Sequence, residues 1–150
     1  CGATSSRHLQ KAHSIMKYVN KQFVRWDDLD AMGHVNNAKY LTFAQEARFL
    51  WATEEFSGAM QETSLIGMVV ARAEIDFIAP INEGGKFVDV EITVGKIGNS
   101  SFDMLFTISD EGKVLAKVKT VQVAVSVETM KSRPLTDKER QFLDIYLESN

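Results

Sequence analysis

Cysteine is almost missing. The single residue, Cys1, excludes an intramolecular disulfide framework and fits a reducing compartment, so a cytoplasmic protein is expected. No run of about 18 apolar residues occurs, which excludes a hydrophobic helical membrane span. Basic residues are too few to set up a positive field: 17 Lys and Arg against 20 Asp and Glu give a net charge of -3. The pI near 5.6 excludes nucleic-acid binding by a basic surface. Histidine is scarce, and His8 and His13 lie five residues apart, which is not the one-turn spacing that lets two imidazoles share a metal on a helix face. No metal and no cofactor are expected.

What is there is 150 residues, 45% apolar and 25% charged, enough for one globular domain that buries its own core. The chain opens on Cys-Gly-Ala-Thr-Ser-Ser with no Met. A truncated or processed terminus is expected, with a lipid-modified cysteine as the alternative. Residues 1–18 read as a polar tail or short helix. Residues 20–26 read as a first strand, with Trp26 in the core or a pocket wall. From Ala38 to Phe56 the apolar residues recur at helical spacing over a wide arc, so a mostly buried helix is expected, its Ala44 and Ala47 letting a sheet approach closely. A loop rich in Ser, Gly and Thr (Ser57 to Ser64) follows.

The period then changes from 3.6 to 2. Ala71, Ala73, Ile75 and Phe77 alternate with charged residues, and Val88, Val90, Ile92 and Val94 alternate with Asp89, Glu91 and Thr93, which predicts half-buried strands. Pro80, Gly84-Gly85, Gly98-Asn99 and Asp110-Glu111-Gly112 separate four such strands into an antiparallel series. In the last, Val114 to Val127, the apolar parity switches, predicting a bulge near Lys119-Thr120. After Pro134, Thr136 and Glu139 form a capping box for a short amphipathic helix. These elements alone make an α+β chain.

One stretch concentrates polar chemistry. Asp27, Asp28, Asp30, His34, Asn36 and Asn37 fall within eleven residues, immediately before the long helix. Helix N-terminal amides lack intrahelical partners and carry the positive end of the helix dipole, so they can polarise a carbonyl oxygen while a nearby carboxylate attacks or activates water. Asn36 or Asn37 is also the natural N-cap, and Gly33 suits a tight turn with positive φ that also lets a substrate approach the backbone.

Trp26-x-Asp28-x-Asp30-x-x-Gly33-x-Val35, closed by Tyr40, resembles the signature of the hydroxybenzoyl-CoA thioesterase family of hotdog-fold proteins. The run from Asp28 to Tyr40 is also similar to a segment of plant acyl-ACP thioesterases, with Met32 where the plant pattern has a catalytic Asn. The resemblance covers roughly residues 20 to 130. It implies a single hotdog domain over residues 19–130, a long central helix wrapped by an antiparallel sheet of about five strands, with a short C-terminal helix in residues 131–150. It further implies acyl-CoA or acyl-ACP thioester hydrolysis, with Asp30 and His34 catalytic and Trp26, Gly33, Val35, Asn36 and Asn37 binding substrate. The amides of Gly33 to Val35 would hold the oxyanion, and basic residues such as Lys131 and Arg133 would meet the CoA phosphates. The sites of the family lie between subunits, so a homodimer or a dimer of dimers is expected. Two alternatives stay open: a hydratase or dehydratase acting on acyl thioesters, and a non-catalytic acyl-binding or assembly module.

Overall fold

The computed structural model describes residues 16–56 and 68–148. The predicted Ser57–Ser64 loop and the histidines of the N-terminal segment lie outside them. The elements run β1 (Tyr18–Val24), a 3₁₀ turn (Trp26–Asp28), α1 (Asn37–Trp51), a π turn (Ala52–Phe56), β2 (Met68–Phe77), β3 (Lys86–Ile97), β4 (Ser101–Asp110), β5 (Lys113–Ala124) and α2 (Asp137–Ile145). The strands form one sheet in the order β1-β3-β4-β5-β2, with every neighbouring pair antiparallel. Strands β3, β4 and β5 are joined by tight turns and therefore sit side by side. Strands β1 and β2, separated by the helix, take the two outer positions.

Helix α1 lies on one face of this sheet. Tyr40, Phe43, Ala44, Ala47 and Trp51, three or four residues apart, form its buried stripe. The facing sheet residues are the even-numbered positions of β3 (Val88 to Val94), β4 (Phe102 to Ile108) and β5 (Ala116 to Ala124). This is the α+β hotdog architecture expected from the sequence, with its five antiparallel strands, central helix and short C-terminal helix.

Several local expectations are corrected. Strand β1 begins at Tyr18 and stops at Val24, so Trp26 falls in the turn beyond it. Its ring is 82% exposed, not a core group. Helix α1 is buried on one side only, because Leu41 and Phe49 face away from the sheet and are exposed. Strand β2 is not half buried. Past its first residue, Met68, it is almost wholly exposed, since it forms an open edge; an extra residue between Val70 and Arg72 shifts its register against β5. Strand β5 keeps one inward parity from Ala116 to Ala124, with no bulge at Lys119-Thr120. The apparent switch arose because the inward positions 120 and 122 are the polar Thr120 and Gln122, while Val121 and Val123 point to the other face.

The C-terminal segment packs on its own chain. Phe142 packs tilted and Tyr146 edge-on against Trp51, with ring centroids 5.0 and 5.5 Å away. The Val94 amide donates to the Tyr146 carbonyl (2.9 Å) and the Glu148 amide donates to the Val94 carbonyl (2.7 Å). Thr136 caps α2 by accepting from the Glu139 amide, and the fully buried Glu139 carboxylate accepts both arms of Arg133 at 2.9 and 3.0 Å. Burial pushes the Glu139 carboxyl up, but Arg133 and the Thr136 amide outweigh it and hold the group below its ordinary range.

Candidate active site

The acidic stretch folds into a small hairpin ahead of α1. Leu29 bridges Val35, the Asp30 amide donates to the His34 carbonyl (2.7 Å), and the Gly33 amide donates back to the Asp30 carbonyl (3.0 Å). Gly33 closes this turn at φ +75°, a left-handed conformation that costs glycine little. The hairpin is pinned to the body from both sides. The Val35 amide donates to the Ile81 carbonyl (2.7 Å), and Gly84 presses so close that a Cβ there would sit 2.9 Å from the Trp26 Cα.

Asp28 anchors the base of the hairpin. Its carboxylate is 2% exposed and accepts from the Arg25 amide (2.9 Å) and the Arg25 guanidinium (3.0 Å), with the Lys39 ammonium at 3.8 Å. Its carbonyl accepts from the Asn36 amide, so Asp28 ties the 3₁₀ turn to the start of the helix. Burial raises the Asp28 carboxyl, and the Arg25 and Lys39 contacts more than reverse that, leaving it below the usual carboxylate range.

Asp30 is arranged differently. It is exposed, and its Oδ1 accepts from the Met32 amide (2.8 Å) and, more loosely, the His34 amide (3.3 Å). Its Oδ2 has no partner among the described residues. Asn36 is the N-cap of α1, its Oδ1 accepting from the Ala38 amide at 3.0 Å, and Asn37 is the first helical residue.

His34, Val35, Asn37 and Tyr40 line a cavity of about 200 Å³ whose other wall is Phe77, Ile78, Ala79 and Pro80. Phe77 packs edge-on against Tyr40, centroids 5.1 Å apart, and burial pushes the Tyr40 phenol above its ordinary value. Of the residues predicted from the sequence, the structure gathers His34, Val35 and Asn37 around this cavity. Asp30 and Gly33 sit on the same hairpin outside its lining, Asn36 is turned to capping, and Trp26 is away from it.

Two expectations about the surroundings change. The Gly33, His34 and Val35 amides already donate to the Asp30 carbonyl, the Asp30 carboxylate and the Ile81 carbonyl. Among the described residues the Asn37 amide, at the helix start and in the cavity wall, has no intramolecular acceptor. Arg133 is committed to Glu139, which leaves Lys131 as the exposed cation of that pair. Sequence reasoning missed Ile81, Phe77 and Gly84 as parts of the site. Phe77 carried only a strand-period signal, and the other two are brought there by the return of the chain from β2 to β3.

A long helix on one face of a five-stranded antiparallel sheet, with the edge strands on either side of it in sequence, is the hotdog fold. The model of the thioesterase-like superfamily matches residues 24–143, and the chain belongs to that family. The long-chain acyl-CoA thioesterase FadM of Escherichia coli is 31% identical over 126 residues, 81% of this chain and 92% of FadM. A 1,4-dihydroxy-2-naphthoyl-CoA hydrolase of Rippkaea orientalis is 28% identical over 127 residues, 80% of this chain and 90% of that protein. Among solved structures, a Thermus thermophilus thioesterase complexed with coenzyme A and Zn is 31% identical with a TM-score of 0.72, covering 83% of this chain and 90% of that one. Within the described residues no helix is long and apolar enough to cross a membrane.

Proposed function

We propose that this protein hydrolyses acyl-CoA thioesters at the turn from Asp30 to Asn37, with Asp30 as nucleophile or general base. The observation that carries this is the cavity at the start of α1, which brings together His34, on the hairpin that carries Asp30, and the unpaired amide of Asn37, the first residue of the helix. The thioester carbonyl oxygen lies toward the Asn37 amide, where the helix dipole stabilises the developing negative charge. The free Oδ2 of Asp30 either attacks the thioester carbon, breaking the C–S bond, releasing the CoA thiolate and leaving a mixed anhydride that water hydrolyses, or takes a proton from a water that attacks the carbon and expels the same thiolate; His34 positions water or substrate. Acyl-CoA is preferred over acyl-ACP because FadM and the naphthoyl-CoA hydrolases are named for CoA thioesters. The resemblance of the Trp26–Tyr40 stretch to the hydroxybenzoyl-CoA thioesterase signature supports a CoA thioester, and its similarity to plant acyl-ACP thioesterases supports thioester hydrolysis without favouring either carrier.

The working unit is a homodimer, alone or paired into a tetramer, with the pantetheine arm in the groove between subunits. Support comes from strand β2, an open sheet edge with exposed Val69, Val70 and Phe77, the kind of edge that soluble proteins cover. The test is turnover of an acyl-CoA panel by wild type, Asp30→Asn and His34→Ala, with the mass measured by light scattering. Asp30→Asn is expected to lose about 10²–10⁴-fold in kcat, the usual span for removing a general acid or base, and His34→Ala is expected to lose less. Full activity in Asp30→Asn refutes the assignment, and a monomer at micromolar concentration refutes the shared groove.

A further inference from the structure

The short segment that carries the unpaired Asn37 amide is held at both ends by one residue, Ile81, in the return of the chain from β2 to β3. At one end the Val35 amide donates to the Ile81 carbonyl at 2.7 Å. At the other end the phenol of Tyr40, in the first turn of α1, is hydrogen-bonded to the Ile81 backbone. Burial raises the Tyr40 phenol, and this hydrogen bond works against it. A backbone group that lowers a phenol does so by donating to its oxygen, so the Ile81 partner is its amide. Among the described residues that amide donates to no backbone carbonyl. Ile81 is buried, and a buried N–H needs an acceptor, which the Tyr40 hydroxyl supplies.

Both partners are themselves fixed. The Ile78 and Ala79 amides both donate to the Leu115 carbonyl at 2.9 Å, which ties the stretch before Ile81 to β5. The Tyr40 ring is buried and packs edge-on against Phe77 and Phe43, with centroids 5.1 and 6.4 Å away. Residues 35–40 therefore close a loop through Ile81, entered from the hairpin of Asp30 and His34 and left along the helix. Inside that loop Asn36 caps α1, and Asn37 lies in the cavity wall.

We propose that Tyr40 is a positioning residue: its hydroxyl, acting through Ile81, sets the Asn37 amide against the hairpin that carries Asp30 and His34. The inference rests on the thioesterase assignment above. Without the hydroxyl the Ile81 amide loses its acceptor, the loop keeps its tie at Val35, and the start of the helix shifts relative to the hairpin. A hydrogen-bond donor stabilises a developing oxyanion only when it is held at the right place, so the loss falls on the chemical step more than on substrate binding.

The test is Tyr40→Phe, which keeps the ring and its packing and removes only the oxygen. The control is Tyr18→Phe, which removes another buried hydroxyl, the donor to Glu54 at 2.8 Å in the turn that follows the far end of α1. Both variants are expected to lose about 2–4 °C in melting temperature, the scale of one hydrogen bond in a chain of this length. On an acyl-CoA panel Tyr40→Phe is expected to lose about tenfold in kcat with KM nearly unchanged, and Tyr18→Phe is expected to keep both. Wild-type kcat in Tyr40→Phe overturns the proposal. So does an equal kcat loss in the two variants, which marks a general effect of stability, and so does a loss confined to KM. A second readout needs no turnover: amide hydrogen exchange followed by NMR. The Ile81 and Val35 amides are expected to exchange faster in Tyr40→Phe, and the Asn37 amide resonance to move, with none of this in Tyr18→Phe. Those changes sustain the role of Tyr40 even if wild type hydrolyses no acyl-CoA, in which case only the hydrolase assignment fails. Unchanged exchange at Ile81 overturns it.

Discussion

Replacing Asp28 by Ala separates the two aspartates of the hairpin, one buried and structural, the other exposed. Asp28 is 2% exposed and accepts a backbone amide and a guanidinium of Arg25, with Lys39 nearby. Hydrogen bonds to a charged group contribute about 1.5–3 kcal/mol, and the Arg25 amide would be left without its acceptor. A loss of about 2 kcal/mol is expected, which for a chain of this length is a fall of about 4–8 °C in melting temperature. The pH dependence follows from the depressed carboxyl. A carboxyl with a folded pKa below its unfolded value, which is about 3.9 for Asp, adds stability above that value and loses it as pH falls through the folded one. Wild type and Asp28→Ala should therefore differ fully at pH 7 and converge below about pH 4. The assay is thermal melting followed by circular dichroism from pH 7 to pH 3, alongside kcat/KM at 25 °C. The activity loss should be smaller than in Asp30→Asn. Equal melting temperatures at pH 7, or a gap that stays constant down to pH 3, would falsify the anchoring role.

Glu139→Ala removes the fully buried partner of Arg133 and the acceptor for the Thr136 amide, and breaking a buried pair from one side costs about 3–5 kcal/mol. Urea unfolding should show a lowered midpoint, and an unchanged midpoint would mean that α2 adds nothing to the stability of the sheet. Gly84→Ala places a Cβ against the Trp26 backbone, 2.9 Å from its Cα, and such overpacking costs about 1–3 kcal/mol. Both melting temperature and thioesterase kcat/KM should fall, because the segment displaced begins the hairpin of Asp30; full activity with a lowered melting temperature would show that the hairpin tolerates the shift.

The sequence made the architecture legible because its periods were clean. The 3.6 spacing of Tyr40, Phe43, Ala44, Ala47 and Trp51 became the buried stripe of α1, and the alternation of Val88 to Val94 became the inner face of β3. The Thr136–Glu139 capping box formed as spaced. What misled was polarity or apolarity on an unexpected face. Thr120 and Gln122 point inward on β5, so a valine-only pattern suggested a phase change that the backbone does not make. Trp26 looked like a core residue by type, but the chain turns at Arg25 to let Asp28 collect its hydrogen bonds, and the ring is left outside. The hairpin itself depends on Ile81 and Gly84, more than forty residues away, whose approach no local pattern encodes.

The exposure of the hairpin bears on how such a site works. Asp30 and His34 are open to solvent within one chain, and water around the proposed reacting groups weakens the electrostatic stabilisation that such a site can give a developing charge. Among the described residues the wall facing His34 is the Phe77–Pro80 segment, which leaves directly from the edge strand β2. Covering β2 with a second copy would bury the exposed inner positions Val70, Ala73 and Phe77 and exclude water beside His34 in the same step. Under the proposed pairing, sheet completion and site desolvation are therefore one event. A substitution on β2 that weakens association should then lower turnover even though β2 bears none of the proposed catalytic groups.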